Sequence, residues 1–363
     1  MKRINKILIG LILAATMFLG IGYSAISNIT LDITGTIIAG GVVDDRPYKP
    51  TGFDWVEGTS LETGLTIQDG FGNQYVWVEV PKTAEVYPTA GLEITSFSET
   101  EYEKIEIDLN TYAATYNTPT SFNDSWYSSA QHGFASADEY NKHKYKMLKS
   151  VYLSEGFYVG KYETGIADTQ PDEVDTLHEA RTAKGDATQT PVIQANAYPY
   201  NFVTCSQAQE LAASMESGEY TSSLMFGVQW NLVLRYLEAK GVSQSELNSN
   251  SSSWGNTQTN LWTITNPISK HYYGVWSDKP YGTRTSKYTT VLVSTGADSS
   301  FSKQGIYDLA GNVAEWTLEY TTYTYYPCVG RGGAYNENFA ASYATDFSAT
   351  YANIYNGFRV VIF

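Results

Sequence analysis

The chain has few cysteines, few histidines and few positive charges. Its 363 residues include two cysteines and four histidines, and 23 lysines and arginines face 38 aspartates and glutamates, which gives a net charge of −15. Binding to a phosphate backbone needs clustered lysine and arginine, so we expect no nucleic acid partner. The histidines are far apart, and the chain carries no GxSxG, CxxC or phosphate-loop motif. The common sequence signs of a catalytic or zinc centre are therefore missing.

Long apolar runs are absent after the first 25 residues. The N-terminus carries Lys2, Arg3 and Lys6, then an apolar run, then the small residues of GYSA, which is the order of a secretory signal peptide. This order predicts that residues 1–25 are a signal peptide and that the mature protein is secreted or held at the cell surface. The run approaches the roughly 18 residues that begin to suggest a spanning helix, so an uncleaved N-terminal anchor is the alternative. We expect no other membrane contact.

Residues 26–52 are predicted to form an N-terminal arm and a linker. The sequence SNITLDITGTIIAG alternates apolar and polar residues as a strand does, and DDRPYKPTG then breaks the pattern with two prolines. Such a strand pairs either within its own domain or with the sheet edge of another chain. In an exported chain, Cys205 and Cys328 form either one disulfide or two free thiols, and the sequence does not decide between these.

The middle of the chain predicts short strands and helices in a loop-rich α+β arrangement. Two apolar stretches about a Gly-Asn turn predict a hairpin over residues 65–80. Helices are predicted over residues 137–152, over CSQAQELAASM with Thr204 or Ser206 as its N-cap, and over residues 223–240.

The long polar stretches between these elements are interpreted as loops or insertions. The Tyr-, Ser- and Thr-rich residues 83–149 are predicted to be a surface insertion. Residues 242–260 are predicted to be a polar loop, and residues 261–300 to be short strands and loops.

The most unusual stretch is residues 334–356, AYNENFAASYATDFSATYANIYN, called the window below. It contains no Lys, Arg, Gln, Met, Trp, Leu, Val, Pro or Gly, and it has the period of neither a helix nor a strand. Tyrosine supplies stiff, amphipathic contact area, while serine, threonine and asparagine supply adaptable hydrogen bonds. We therefore predict that the window binds a ligand. The predicted contact residues are Tyr335, Asn336, Asn338, Phe339, Ser342, Tyr343, Thr345, Asp346, Phe347, Thr350, Tyr351, Asn353 and Tyr355.

The sequence on either side of the window resembles the formylglycine-generating enzyme (sulfatase-modifying factor) family, a variant of the C-type lectin fold. The blocks GIYDLAGNVAEW at 305–316, RGGAY at 331–335 and GFR at 357–359 stand in the order of that family's GLYDMxGNVWEW, RGGSW and GFR. The resemblance implies one C-type-lectin-like domain over residues 53–363, with the window as a variable C-terminal ligand-binding region.

The same resemblance bears on metals and catalysis. The family's copper-binding cysteine pair would fall near Glu337 and Ser342, yet no cysteine follows Cys328. We therefore expect neither copper nor enzymatic activity.

A structural calcium ion is a further implication of the resemblance. The family holds it through two side chains and two main-chain carbonyls, which carry over to Asp308, Gly311, Val313 and Glu315. Calcium takes several oxygen ligands at flexible geometry, so carboxylates around a glycine turn suit it. The alternative is an Asx-type turn without an ion, with Trp316 in the core.

The window also resembles the variable proteins of diversity-generating retroelements, in which this fold displays a variable region ending at a GFR-like strand. Their mutagenesis acts on adenines, so Asn-type codons scatter to residues whose codons end in a pyrimidine. Every window residue except Glu337 meets that condition. The resemblance implies an exported protein that displays a diversified surface to an unknown protein or glycan outside the cell. The alternatives are an active formylglycine-generating or related oxidase, and a cell-surface structural protein that assembles through its arm.

Overall fold

The computed structural model describes residues 46–116, 122–127, 133–167, 187–249 and 254–363. Lys49–Phe363 forms one compact unit. The predicted signal peptide and most of the predicted arm, residues 1–45, lie outside the described residues. Within the described residues, no helix is both long enough and apolar enough to cross a membrane.

The larger sheet joins the start of this unit to its C-terminus. Its six strands lie in the order β1-β2-β3-β5-β21-β9, and each neighbouring pair is antiparallel. The bounds are β1 Phe53–Trp55, β2 Thr66–Asp69, β3 Gln74–Glu79, β5 Gly156–Gly160, β9 Ser222–Leu224 and β21 Val360–Ile362. The hairpin predicted over residues 65–80 is confirmed as β2 and β3. The last strand, β21, lies between β5 and β9, so the C-terminus is built into the core.

A second sheet carries the window. Its bounds are β4 Phe122–Asn123, β17 Ala314–Thr321, β18 Cys328–Arg331, β19 Ala344–Phe347 and β20 Asn356–Phe358. The order is β19-β18-β17-β20, and β4 also pairs with β17. The β17–β20 pair is parallel, whereas β18 is antiparallel to both of its neighbours. The window therefore leaves β18, returns as β19, and ends as β20 on the far side of β17.

Short strands fill the loops around the two sheets, as predicted for residues 261–300. They form four small sheets, β7-β6-β8, β10-β13, β12-β11-β14 and β15-β16. Their bounds are β6 Gly165–Ile166, β7 Pro191–Val192, β8 Tyr198–Pro199, β10 Trp262–Thr263, β11 His271–Tyr272, β12 Trp276–Ser277, β13 Thr283–Arg284, β14 Leu292–Val293, β15 Ser302–Lys303 and β16 Ile306–Tyr307.

Helices begin where side chains cap free backbone N–H groups. The bounds are α1 Glu99–Tyr112, α2 Ala137–Ser154, α3 Cys205–Ala213, α4 Gly227–Ala239 and α5 Gln244–Asn248. Of the two predicted caps for α3, it is Thr204 that accepts a hydrogen bond from the N–H of Gln207. The helix predicted over residues 223–240 was started too early, because residues 222–224 pair with β21 as a strand before α4 begins. Within the predicted loop 242–260, α5 forms and buries Leu247.

The insertion predicted to lie on the surface is part of the main core. Ile105 and Leu109 of α1 and Met147, Leu148 and Val151 of α2 are all buried in the same hydrophobic cluster as the larger sheet. The surface prediction for residues 83–149 was therefore wrong. Polar Tyr, Ser and Thr dominate the composition, but the apolar residues recur three or four positions apart, which puts them on one face of each helix.

Candidate ligand-binding surface

Buried arginine–glutamate pairs fix the strands on both sides of the window. Arg331, at the end of β18, donates to Glu319 of β17 from Nε at 2.7 Å and from Nη2 at 2.6 Å. Its Nη1 donates to the backbone carbonyl of Ser342 in the window at 3.1 Å. Both charged side chains are almost fully buried. Because a guanidinium fork matches a carboxylate in two parallel bonds, this pair sets both the spacing and the register of the strands.

Arg359, in the GFR block that follows the window, forms the second buried pair, with Glu315 of β17. Its Nε lies 3.0 and 2.9 Å from the two carboxylate oxygens of Glu315. Its Nη1 and Nη2 donate to the carbonyls of Gly160 and Tyr307 at 2.9 and 2.7 Å. The arginine therefore joins the larger sheet to the strand that carries Glu315.

The two glycines of the RGG block make the turn into the window. Gly332 has φ +81° and Gly333 has φ +72°, a conformation that other residues rarely adopt. A Cβ on Gly332 would lie 2.7 Å from the carbonyl oxygen of Leu309, and one on Gly333 would lie 2.8 Å from Cβ of Phe339. Neither position has room for a side chain, so the chain enters the window in one defined direction.

The six aromatic rings of the window form three close pairs, of which two are stacked and the third, Tyr335–Tyr355, is tilted at 42°. The pairs, with their centroid distances, are Phe339–Tyr343 at 3.7 Å, Phe347–Tyr351 at 4.9 Å and Tyr335–Tyr355 at 5.5 Å. The first two pairs are nearly parallel, with interplanar angles of 10° and 16°. Aromatic pairs of this kind stiffen a surface at small cost in side-chain freedom.

Exposure divides the predicted contact residues into two groups. Tyr335 and Ser342 are buried, whereas the other eleven are half-buried or exposed. Tyr335 is buried in a cluster that also contains Trp276 of β12, and Tyr355 borders this cluster. Phe347 is half-buried, and its ring meets Trp316 of β17 edge-on at 5.2 Å. The window is therefore a surface whose outer rings rest on inner ones.

Three of the four predicted calcium ligands, Asp308, Gly311 and Val313, lie on the turn that precedes β17, and Glu315 is the second residue of that strand. Asp308 is buried with φ +57°, and its Oδ2 accepts a hydrogen bond from the N–H of Gly296 at 2.6 Å. Its Oδ1 is buried without a hydrogen-bond partner. Both carboxylate oxygens of Glu315, in contrast, accept hydrogen bonds from Arg359.

Gly311 and Val313 are predicted to bind calcium through their backbone carbonyls, and their N–H groups hold the turn in place. The N–H of Gly311 donates to the carbonyl of Gly332, and that of Val313 donates to Glu163 at 3.0 Å. The described residues contain no group of three or more His, Cys, Asp or Glu side chains arranged to hold a metal. A calcium ion that used Glu315 would have to compete with Arg359, so the predicted set does not fit calcium without rearrangement. Calcium at Asp308 stays a prediction.

Sequence reasoning missed Glu163, which lies in the KYETG stretch between β5 and β6. This buried carboxylate accepts from Asn312 Nδ2 at 2.7 Å as well as from the backbone of Val313, so it holds the GNV turn in place. Burial, with Asp308 and Glu315 nearby, raises the pKa of Glu163 well above its ordinary value. Burial also raises the pKa of Asp308 to about 7 and that of Glu315 in the same direction. The sequence signal that could have indicated this role is that Glu163 is the only acidic residue in the aromatic and glycine-rich stretch GFYVGKYETG.

Cys205 and Cys328 are buried, and they are not joined in a disulfide. The thiol of Cys205, at the start of α3, donates to the carbonyl of Thr317 at 3.4 Å. The neighbouring Cys328 and burial raise the pKa of Cys205 well above its ordinary value. A buried thiol that stays protonated is a poor nucleophile and a poor metal ligand.

Residues 129–362 match the sequence profile of the sulfatase-modifying factor enzyme 1-like domain. The chain belongs to this family. The matched residues include both arginine–glutamate pairs and the whole window, so the resemblance drawn from the three sequence blocks is confirmed. The sulfatase-modifying-factor-like domain has the α+β, C-type-lectin-like fold that was expected. The opening hairpin and α1 lie outside the matched residues but pack into the same core.

Comparison with individual proteins adds little to the family assignment. No curated protein matches the chain. Among solved structures, CarF is 13% identical with a TM-score of 0.34, and the match covers 57% of this chain and 85% of that one. Treponema denticola variable protein 1 is 17% identical with a TM-score of 0.20, and the match covers 40% of this chain and 49% of that one. Both TM-scores are low, so the fold assignment depends on the family profile and on the strands described above.

Proposed function

We infer that this sulfatase-modifying-factor-like chain is an exported, non-catalytic protein that displays a diversified ligand-binding surface, the window. The observation that supports this most is that the buried ion pairs and the predicted contact side chains belong to different residues. Both buried ion pairs beside the window are formed by residues outside it, namely Arg331, Glu319, Arg359 and Glu315. The window contributes one backbone carbonyl to them, that of Ser342, and otherwise presents aromatic and small polar side chains. We call residues 305–333 and 357–363, on either side of the window, the frame. Side chains at the outer face of the window are free to change while the frame keeps its bonds.

The alternative is an active oxidase, which the family assignment favours and the cysteine content opposes. Copper(I) is held by soft thiolate ligands. The chain's two thiols are buried, and the positions that correspond to the family's pair are expected near Glu337 and Ser342, where the chain has no cysteine. Incubation with copper and a cysteine-containing sulfatase peptide should therefore leave the peptide mass unchanged. Conversion of the peptide cysteine would show that the chain is an enzyme.

Diversification is tested by sequencing this gene from many cells of one population. Codons 334–356 should differ between copies, chiefly at adenines, while codons 305–333 and 357–363 should not. A neighbouring reverse transcriptase gene with an imperfect repeat of the window codons would support the same conclusion. Variation spread evenly along the gene, or none in a large sample, would contradict diversification.

A further inference from the structure

We propose that two aromatic turns outside the window form a fixed rim of the binding surface, and that this surface fits a folded protein with a neutral or basic face. The first turn is residues 322–327, between β17 and β18. The second is residues 273–275, between β11 and β12. The proposal rests on the proposed function of the window and names the class of partner for that same surface.

The 322–327 turn exposes tyrosines beside the window. The side chains of Tyr323, Tyr325 and Tyr326 are 63%, 84% and 53% exposed. Cys328 pairs with Phe347, so the turn that leads into Cys328 lies next to the residues that follow Phe347. Neighbouring strands are about 4.8 Å apart, which puts these tyrosines within reach of any partner that touches Tyr351.

The 273–275 turn borders the other end of the window. Trp276 packs in one cluster with Tyr335, and Tyr272 and Tyr355 lie against that cluster. The tip beyond these residues is open to solvent, with Tyr273 59% and Val275 70% exposed. The window therefore lies between two exposed aromatic or aliphatic tips rather than between polar loops.

The size of the combined surface indicates a protein partner. A standard protein interface uses about 20 to 30 residues a side. Sixteen residues of the window have exposed surface, which is too few for such an interface. The eight exposed residues of the two turns raise the total to 24, and tyrosines like those of the turns carry much of the binding energy in protein interfaces. Exposed apolar area concentrated in one place is itself typical of an interaction site.

Charge narrows the partner further. From residue 304 to 363 the only cations are Arg331 and Arg359, and both are buried in ion pairs. The acidic side chains with exposed surface there are Glu337 and Asp346. Near the second turn, Lys279 is exposed but follows the exposed Asp278. An acidic partner or an anionic sugar would find no cation to pair with on the window itself. A basic face could pair with Glu337 and Asp346, and a neutral face needs no charged partner.

The test uses full-length chains whose window codons are randomised and whose other residues are kept. The displayed library is selected separately on lysozyme, which is basic, and on calcium-free calmodulin, which is acidic. Each binder then receives either Tyr323→Ser, Tyr325→Ser and Tyr326→Ser together, or Tyr273→Ser with Val275→Ser. The matched control is Phe71→Ser, because Phe71 is 86% exposed in the β2–β3 turn of the other sheet. Thermal melting of every variant checks that it is folded.

We expect more binders to lysozyme than to calmodulin, and an affinity loss of about tenfold or more from either rim variant but not from Phe71→Ser. Binders whose affinity survives both rim variants would overturn the rim while leaving the proposed function intact. A preference for calmodulin would overturn the charge assignment. A folded library that yields no binder to either target would contradict the proposed function itself.

Discussion

The frame and the window share one sheet but are stabilised differently. The frame strand β17 is joined to its surroundings by two buried ion pairs, through Glu315 and Glu319. No ion pair between described residues involves the window, whose strand β19 is held by backbone pairing with β18 and by stacked rings. Breaking a buried pair leaves a charge without compensation, whereas changing an outer ring exposes little that was hidden. The difference indicates that stability and recognition are carried by different residues of the same sheet.

The largest effect should come from the frame. Arg359→Ala leaves Glu315 buried without its cation, so we expect a loss of about 3 to 5 kcal/mol in the free energy of unfolding. Urea unfolding followed by tryptophan fluorescence measures it. The matched control is Lys142→Ala, which breaks the exposed Lys142–Asp138 pair and should leave the unfolding midpoint unchanged. Equal effects of the two substitutions would mean that the frame does not depend on its buried charges.

The next effect concerns the buried carboxylates beside Arg359. Asp308 ionises at about pH 4 in an unfolded chain but at about pH 7 in the fold, because it is buried. Between these values the folded state holds the additional proton, so this group makes the free energy of unfolding fall as the pH rises from about 4 to about 7. Asp308→Asn should flatten that part of the stability curve. The melting temperature of the variant, relative to that of the wild type, should therefore be higher at pH 8 than at pH 5.

Asp308→Asn also lowers the pKa of Glu163, because the neighbouring Asp308 raises it, and this change flattens the stability curve in the same direction. Glu163 and Glu315 act in the same direction as Asp308, and His143, whose pKa burial lowers to about 4, acts in the opposite one. Melting with calcium and with chelator then tests the predicted ion. A bound cation would raise the melting temperature by mass action in wild type but not in Asp308→Asn. Identical melting of wild type in both conditions would remove calcium from the account.

Within the window, we expect the inner ring of a stacked pair to contribute more to stability than the outer ring. Phe347→Ser removes a half-buried ring from Trp316 and should cost about 2 kcal/mol, roughly half of what a fully buried phenylalanine costs. Tyr351→Ser, which removes the outer ring of the same stacked pair, should change stability by less than about 0.5 kcal/mol. Urea midpoints of the two variants measure this directly. A larger loss from Tyr351→Ser would reverse the assignment of inner and outer rings.

The sequence predicted the frame better than the window. The GIYDLAGNVAEW, RGG and GFR blocks are short motifs that stand in a fixed order, so the order alone indicated the family. The partners of Arg331 and Arg359 lie elsewhere in the chain and could not be assigned from the blocks. The N-cap of α3 and the β2–β3 hairpin were also predictable, because capping and turn chemistry act within a few residues.

The remaining features depend on contacts between distant residues. Tyr335 is buried in a cluster with Trp276, and Phe347 is half-buried because its ring meets Trp316. Neither position follows from the period of the window. The role of Glu163 likewise depends on Asn312, which lies 149 positions away in the chain. The surface interpretation of residues 83–149 failed for a different reason, since overall composition was weighed there instead of the spacing of apolar residues.

The most direct test of the separation between frame and window is the stability of the combined variant Tyr343→Ser, Tyr351→Ser and Tyr355→Ser. It removes one ring from each of the three aromatic pairs in the window and leaves both buried ion pairs of β17 in place. The account predicts a free energy of unfolding within about 1.5 kcal/mol of wild type, whereas Trp316→Ala alone should cost about 3 to 5 kcal/mol. A triple variant that loses as much as Trp316→Ala, or that does not fold, would show that the window is part of the core and would contradict the account.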